Sequence, residues 1–193
     1  MNFGDFLIEG ALHIADLQAY DHILFLIALA VVFEPSQWRK LITIVTAFTI
    51  GHSITLALVS LDVVLVPSKW VEFFIPLTIL LTSLINLLSL RRRISKTNFG
   101  VKFLVVLVFG FIHGMGFSPY LKMLVGKDQS IVQPLLAFNI GVEFGQLLIL
   151  LGFFIISGLM HGLTRAKHRE WIIFILGGTT LISIVLLIES WPW

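Results

Sequence analysis

Long apolar segments alternate with short polar ones along the whole chain. Six of them approach the ~20 residues that cross a bilayer as a helix, namely 17–33, 41–60, 70–90, 99–118, 132–160 and 171–188. Polar or basic stretches such as "EPSQWRK" and "RRR" separate them, and Pro119 ends the fourth. The pattern predicts an all-α membrane bundle of about six transmembrane helices, in one integral membrane domain over residues 1–193.

The composition supports a membrane protein. Hydrophobic residues make up 58% of the chain and charged residues 12%, whereas soluble domains carry about 25% charged residues. The net charge is +2, but in a membrane protein basic residues mark the cytoplasmic side and do not indicate nucleic-acid binding. We therefore expect the lipid bilayer and no nucleic acid as a partner. The chain has no cysteine, which excludes disulfides and thiolate metal sites.

The basic residues predict the orientation of the chain. Ten of the thirteen lie in the first, third and fifth loops or at their edges: Arg39, Lys40, Arg91, Arg92, Arg93, Lys96, Lys102, Arg165, Lys167 and Arg169. Because cytoplasmic loops are rich in Lys and Arg, these three loops are predicted to be cytoplasmic. Both termini then lie outside.

The segment before the first span, residues 1–16, is too short to cross a membrane. Asp5, Glu9, His13 and Asp16 fall on one face at helical spacing. The pattern predicts an amphipathic helix on the outer surface. Alternatively, this acidic face with its histidine attracts cations at an entrance.

Five titratable residues lie inside or at the top of the predicted spans. They are Asp21, His22, His52, His113 and Glu143. Inserting each of these side chains into the bilayer costs roughly 2.5–3.5 kcal/mol of free energy, so each is a candidate functional residue. At about 1.5 Å of rise per residue, all fall in the outer half of the bilayer, which predicts one shared site.

Small and polar residues accompany these groups. Glycine pairs spaced four apart allow close helix packing, and such pairs bracket His113 and Glu143. Asn139 and Gln146 share the helix face of Glu143. The expected supporting residues are Gly110, Gly114, Gly141, Gly145, Asn139 and Gln146.

Imidazoles with one or two carboxylates suit nickel, cobalt, zinc, copper or iron, and the lack of thiolates disfavours Cu(I). We expect a divalent transition-metal ion, nickel, cobalt or zinc. The candidate ligands are His22, His52, His113, Glu143, Asp21 and His13. One function for such a site is a permease for the ion. An alternative is an intramembrane zinc hydrolase for a lipid-like substrate, with Asp21 or Glu143 as general base and Ser53 assisting. A proton carrier or an interhelical hydrogen-bond network are further alternatives.

Several stretches resemble one bacterial family. "HIADLQAYDHILFLIAL" and "FIHGMGFS" resemble the Asp-His and Phe-His-Gly motifs of the HupE/UreJ family, and "TAFTIGHSITLAL" and "LLAFNIGVEFGQ" resemble its second branch. The resemblance implies nickel or cobalt handling, as a permease or as a hydrogenase or urease accessory protein. It also implies His22, His52, His113 and Glu143 as ligands, and a multi-pass protein of the bacterial cytoplasmic (inner) membrane.

Overall fold

The chain forms a bundle of α-helices. The computed structural model describes residues 1–17, 20–92, 98–125, 130–164 and 167–193, with only the backbone of 91–92. Arg93, Lys96 and Arg165 of the charge pattern lie outside the described residues. The helices are α1 (Phe3–Ala15), α2 (Asp21–Ala30), α3 (Trp38–Ser60), α4 (Ser68–Arg92), α5 (Phe99–Val125), α6 (Val132–Thr164) and α7 (His168–Glu189). Within these ranges there is no strand, which confirms the all-α membrane bundle.

The first predicted span is shorter than expected. Helices α3 to α7 are long and apolar enough to cross a membrane, but α2 has ten residues and rises only about 15 Å. It is enclosed by α4, α6 and α7, and Phe25, Ala28 and Ala30 are fully buried. A helix held inside the protein need not span the ~30 Å hydrocarbon layer by itself.

The prediction that Pro119 ends the fourth span was wrong, because α5 continues to Val125. Proline lacks an N–H and leaves one helical carbonyl without its donor. In a membrane, hydroxyl side chains supply nearby hydrogen bonds and unwinding would expose more of the backbone. The Ser118 hydroxyl donates to Gly114 O at 2.8 Å, and in α4 Thr78 similarly donates to Ile75 O near Pro76.

Helices α3 and α5 touch backbone to backbone through glycines. A Cβ on Gly110 would lie 2.2 Å from Phe48 O, and one on Gly114 would lie 2.2 Å from His52 O. No larger residue fits without separating the helices. The numbers increase together along this seam, so α3 and α5 run in the same direction, as the predicted topology requires.

Helix α1 packs against α6 in the same way. A Cβ on Gly141 would lie 2.0 Å from Leu7 O, and one on Gly145 would lie 2.9 Å from Ala11 O. Phe6 and Ile14 are buried. A helix forms over the predicted segment, but it does not lie on the outer surface as expected, because it packs against α6 as an integral part of the bundle.

The two ends of the chain lie at the same end of the bundle. Trp193 contacts Trp70 near the start of α4, with ring centroids 5.2 Å apart. Asn2 and Phe3 share a cavity with Gln133 near the start of α6. This arrangement agrees with two termini on one side of the membrane.

The glycine seam predicts the effect of one added methyl group. Gly110→Ala should destabilise the protein by about 1–3 kcal/mol, because the new Cβ overpacks the α3–α5 contact. Thermal unfolding in detergent measures this effect. Gly178→Ala is the matched control, because nothing lies within 4 Å of a Cβ at that exposed glycine. Equal stability of the two variants would contradict the close contact between α3 and α5 at Gly110.

The orientation can be tested with single cysteines, since the chain has none of its own. Ser130 and Ser36 are both exposed, and they precede α6 and α3, which start at opposite ends of the bundle. In intact bacterial cells an impermeant maleimide should label Ser130→Cys, and should label Ser36→Cys only after permeabilisation. The opposite pattern would invert the predicted topology.

Candidate metal centre

Four helices each bring one histidine to the same place. Ligand atoms of His13 on α1, His22 on α2 and His52 on α3 all lie within 4.8 Å of one another. His113 on α5 lies beside them, with its ring centroid 5.2 Å from that of His22. The sequence placed His22, His52 and His113 in one layer and named His13 as a further candidate, and the structure brings all four together.

Aromatic side chains surround this histidine cluster, which consists of His13, His22, His52 and His113. The centroid of Phe117 lies 3.8 Å from that of His13, and the centroid of Phe48 lies 5.0 Å from that of His113. Phe25 and Phe138 contact the cluster as well. His22, His52 and His113 are only 4%, 0% and 1% exposed. These three imidazoles are therefore largely shielded from water, and His13 is half-buried.

The buried nitrogens of the cluster have almost no partners within the described part of the chain. The six without a hydrogen bond are His13 Nε2, both ring nitrogens of His22, both of His52, and His113 Nε2. Leaving a buried polar group unpaired costs about 1–3 kcal/mol. A bound metal ion would satisfy several of these nitrogens at once, so the residues present fit a metal.

The tautomer of His113 suits metal binding. Its Nδ1 lies 2.9 Å from Phe109 O, and because a carbonyl only accepts, Nδ1 carries the hydrogen. The lone pair is then on Nε2, the nitrogen without a partner. Metal-binding histidines commonly fix their tautomer through such a hydrogen bond.

Two electrostatic features of the cluster suit a cation: His13 is neutral, and the Asp21 carboxylate lies next to His22. His13 lies outside the membrane-spanning helices, and burial, reinforced by His22 and His52, lowers its pKa well below the ordinary value. It is therefore neutral near pH 7, the form that binds metals. Asp21 Oδ1 lies 3.2 Å from His22 Nδ1, although not aligned as a hydrogen bond, and accepts one from the His22 backbone N–H at 3.0 Å.

An acidic cavity lies beside Asp21, at the end of the bundle where the termini lie. We call it the vestibule; its volume is about 500 Å³ and it is lined by Tyr20, Asp21, Glu72, Ile75, Pro76, Leu186, Glu189 and Ser190. Asp21 belongs to both the vestibule and the surroundings of His22. Sequence reasoning missed Glu72 and Glu189. The sequence feature that could have identified them is a carboxylate near the outer end of each of two spans, which are neighbours in the structure.

The structure places Glu143 in a different set of contacts. Its Oε1 accepts a hydrogen bond from Thr46 at 2.6 Å, and its Oε2 accepts one from Thr49. Thr49 Oγ1 also lies 2.8 Å from Gln146 Oε1. Glu143 is not among the three residues whose ligand atoms converge.

The remaining predicted site residues lie outside the histidine cluster. Gly110 and Gly114 pack on α3 and Gly141 and Gly145 pack on α1, so neither pair joins α5 to α6. Within the described residues, Asn139 Oδ1 is buried without a hydrogen-bond partner. The Ser53 hydroxyl donates to Thr49 O at 2.6 Å.

Comparison with known proteins identifies the family. The sequence pattern that defines the HupE/UreJ protein family matches residues 1–191. No curated protein and no solved structure matches the chain. The family match gives no support to the hydrolase alternative. With a match over essentially its whole length and five helices able to cross a membrane, the chain belongs to the HupE/UreJ family of multi-pass membrane proteins.

Proposed function

We propose that the protein binds a divalent transition-metal ion of the nickel or cobalt type at the histidine cluster and conducts it across the bacterial cytoplasmic membrane. One observation carries the proposal. Three imidazoles from three helices present ligand atoms within 4.8 Å of one another, in a chain of the HupE/UreJ family.

His13, His22 and His52 form the core of the proposed ligand set. His113 adds a fourth imidazole through Nε2, and Asp21 either orients His22 or binds the ion directly. Imidazole ligands suit nickel, cobalt and zinc, and carboxylate ligands suit harder ions. The imidazole nitrogens would therefore select a transition-metal ion over a harder ion, and this ion would be the transported substrate.

In this proposal the ion reaches the cluster from the vestibule by way of Asp21. Asp21, Glu72 and Glu189 give the vestibule negative charge, and a cleft with one sign of charge and apolar walls raises the local concentration of the opposite ion. The side chain of Asp21 is 22% exposed and touches His22. A cation can thus pass from the vestibule carboxylates to the imidazoles and exchange its water ligands stepwise.

Metal content of the purified protein tests this proposal. After chelation and exposure to nickel, cobalt or zinc, the wild-type protein should hold about one exchangeable ion per chain by mass spectrometry. His13→Ala and His52→Ala should each weaken binding at least tenfold, since loss of one ligand costs more than about 1.4 kcal/mol. His168→Ala is the matched control, because His168 is exposed at the first residue of α7, at the opposite end of the bundle.

Transport is measured with the same variants in liposomes that contain a metal-quenched dye. Wild-type and His168→Ala proteins should quench the dye on addition of nickel or cobalt, and His52→Ala should not. Metal binding without uptake would contradict the permease. One zinc ion that resists both chelation and exchange would contradict it too.

A further inference from the structure

We propose that an anionic phospholipid of the inner leaflet binds in an apolar cavity between α4 and α5, with its phosphate group at Lys102. We call it the lipid cavity; its volume is about 120 Å³ and it lies beside the inner end of α2. Its lining includes Phe33, Thr82, Asn86, Val101, Lys102 and Val105. The lipid cavity shares no residue with the histidine cluster or the vestibule, so the proposal is independent of the metal site.

The lipid cavity lies at the end of the bundle that carries the basic loops. Asn86 is near the end of α4, and Lys102 is in the first turn of α5. In the predicted topology this end faces the cytoplasm, and the cytoplasmic leaflet of a membrane carries anionic lipids. The headgroup of a lipid in that leaflet would lie close to the start of α5, where Lys102 is.

The wall of the lipid cavity suits a hydrocarbon chain better than a hydrated ion. Its two neutral polar side chains already have partners in the protein. The Thr82 hydroxyl donates to Thr78 O at 2.8 Å, and the Asn86 amide nitrogen donates to Ala28 O at 2.9 Å. The other lining residues, apart from Lys102, are apolar. Apolar cavities exclude water and bind apolar molecules, and a hydrocarbon chain gains van der Waals contacts with such a wall.

The lipid cavity is open to the bilayer between α4 and α5. Ile85 and Val101 line it and are 46% and 50% exposed, which places its mouth on the side that faces lipid. A helix of a partner protein is about 10–12 Å wide with its side chains, which is too wide for a cavity of about 120 Å³. One acyl chain is thin enough to enter, so the shape of the cavity favours a lipid over a protein.

Lys102 supplies the charge that complements an anionic headgroup. The residue is half-buried, and its Nζ lies 5.4 Å from the centre of the Phe33 ring. Among the residues that the structure describes, it has no carboxylate partner. A charged group held against an apolar wall needs a counter-charge, and basic pockets between membrane helices on the cytoplasmic side bind anionic headgroups. The same positive charge repels a metal cation, which argues against this cavity as an exit for the metal.

Native mass spectrometry of the delipidated full-length protein in detergent tests the proposal. Titration with phosphatidylglycerol should fill roughly one saturable site per chain. Phosphatidylcholine with the same acyl chains should bind about tenfold more weakly, because it has no net charge to complement Lys102. Lys102→Gln should remove this preference, and Lys102→Arg should keep it. Lys40→Gln, which removes an exposed charge at the same end of the bundle, is the control and should bind like wild type.

A second variant separates binding in the lipid cavity from a general attraction to basic residues. Val101→Trp places a large side chain at the mouth without changing the charge, and a half-exposed position near the membrane interface tolerates tryptophan. This variant should weaken phosphatidylglycerol binding by about tenfold. Glycerol 1-phosphate, which has no acyl chain, should not compete. Equal binding of both lipids by wild type, wild-type binding in both Lys102→Gln and Val101→Trp, or equal weakening by Lys40→Gln and Lys102→Gln would overturn the proposal.

Discussion

The direct contact between helix backbones at glycine is the constraint on which the rest of the structure depends. At Gly110 and Gly114 on α5, the space that a Cβ would occupy is taken by carbonyl oxygens of α3, and at Gly141 on α6 it is taken by a carbonyl of α1. Apolar side chains gain little by leaving lipid for protein, so close packing is what holds membrane helices together. These seams set the distances between the histidines that the helices carry.

The histidine cluster follows from this packing. Gly114, which directly follows His113, packs against the carbonyl oxygen of His52. The contact between α1 and α6 positions the helix that carries His13. The imidazoles are thereby forced together in a pocket of phenylalanine rings, with buried nitrogens that have no hydrogen-bond partner within the described residues. Burying polar nitrogens without partners is costly, and this cost is the physical basis of the proposed metal site.

The sequence predicts the bundle and its polar layer well because lipid imposes a simple pattern: long apolar segments, basic loops on one side and few buried charges. It does not predict which helices touch. The glycine pairs at 110/114 and 141/145 show that a neighbour approaches closely, but they do not show that the first pair packs on α3 and the second on α1. His13 lies on a polar face, and hydropathy cannot distinguish a face turned to water from one turned to a cluster of buried histidines. The short α2 and the continuation of α5 past Pro119 likewise depend on neighbours that a linear sequence does not display.

The central claim is that imidazoles from several helices bind one divalent metal ion. X-ray absorption spectroscopy of the purified protein loaded with one nickel ion per chain tests it most directly. We predict outer-shell scattering from at least three imidazole rings, reduced by one ring in His13→Ala. A shell of oxygen ligands without imidazole scattering, or a spectrum unchanged in His13→Ala, would contradict the account.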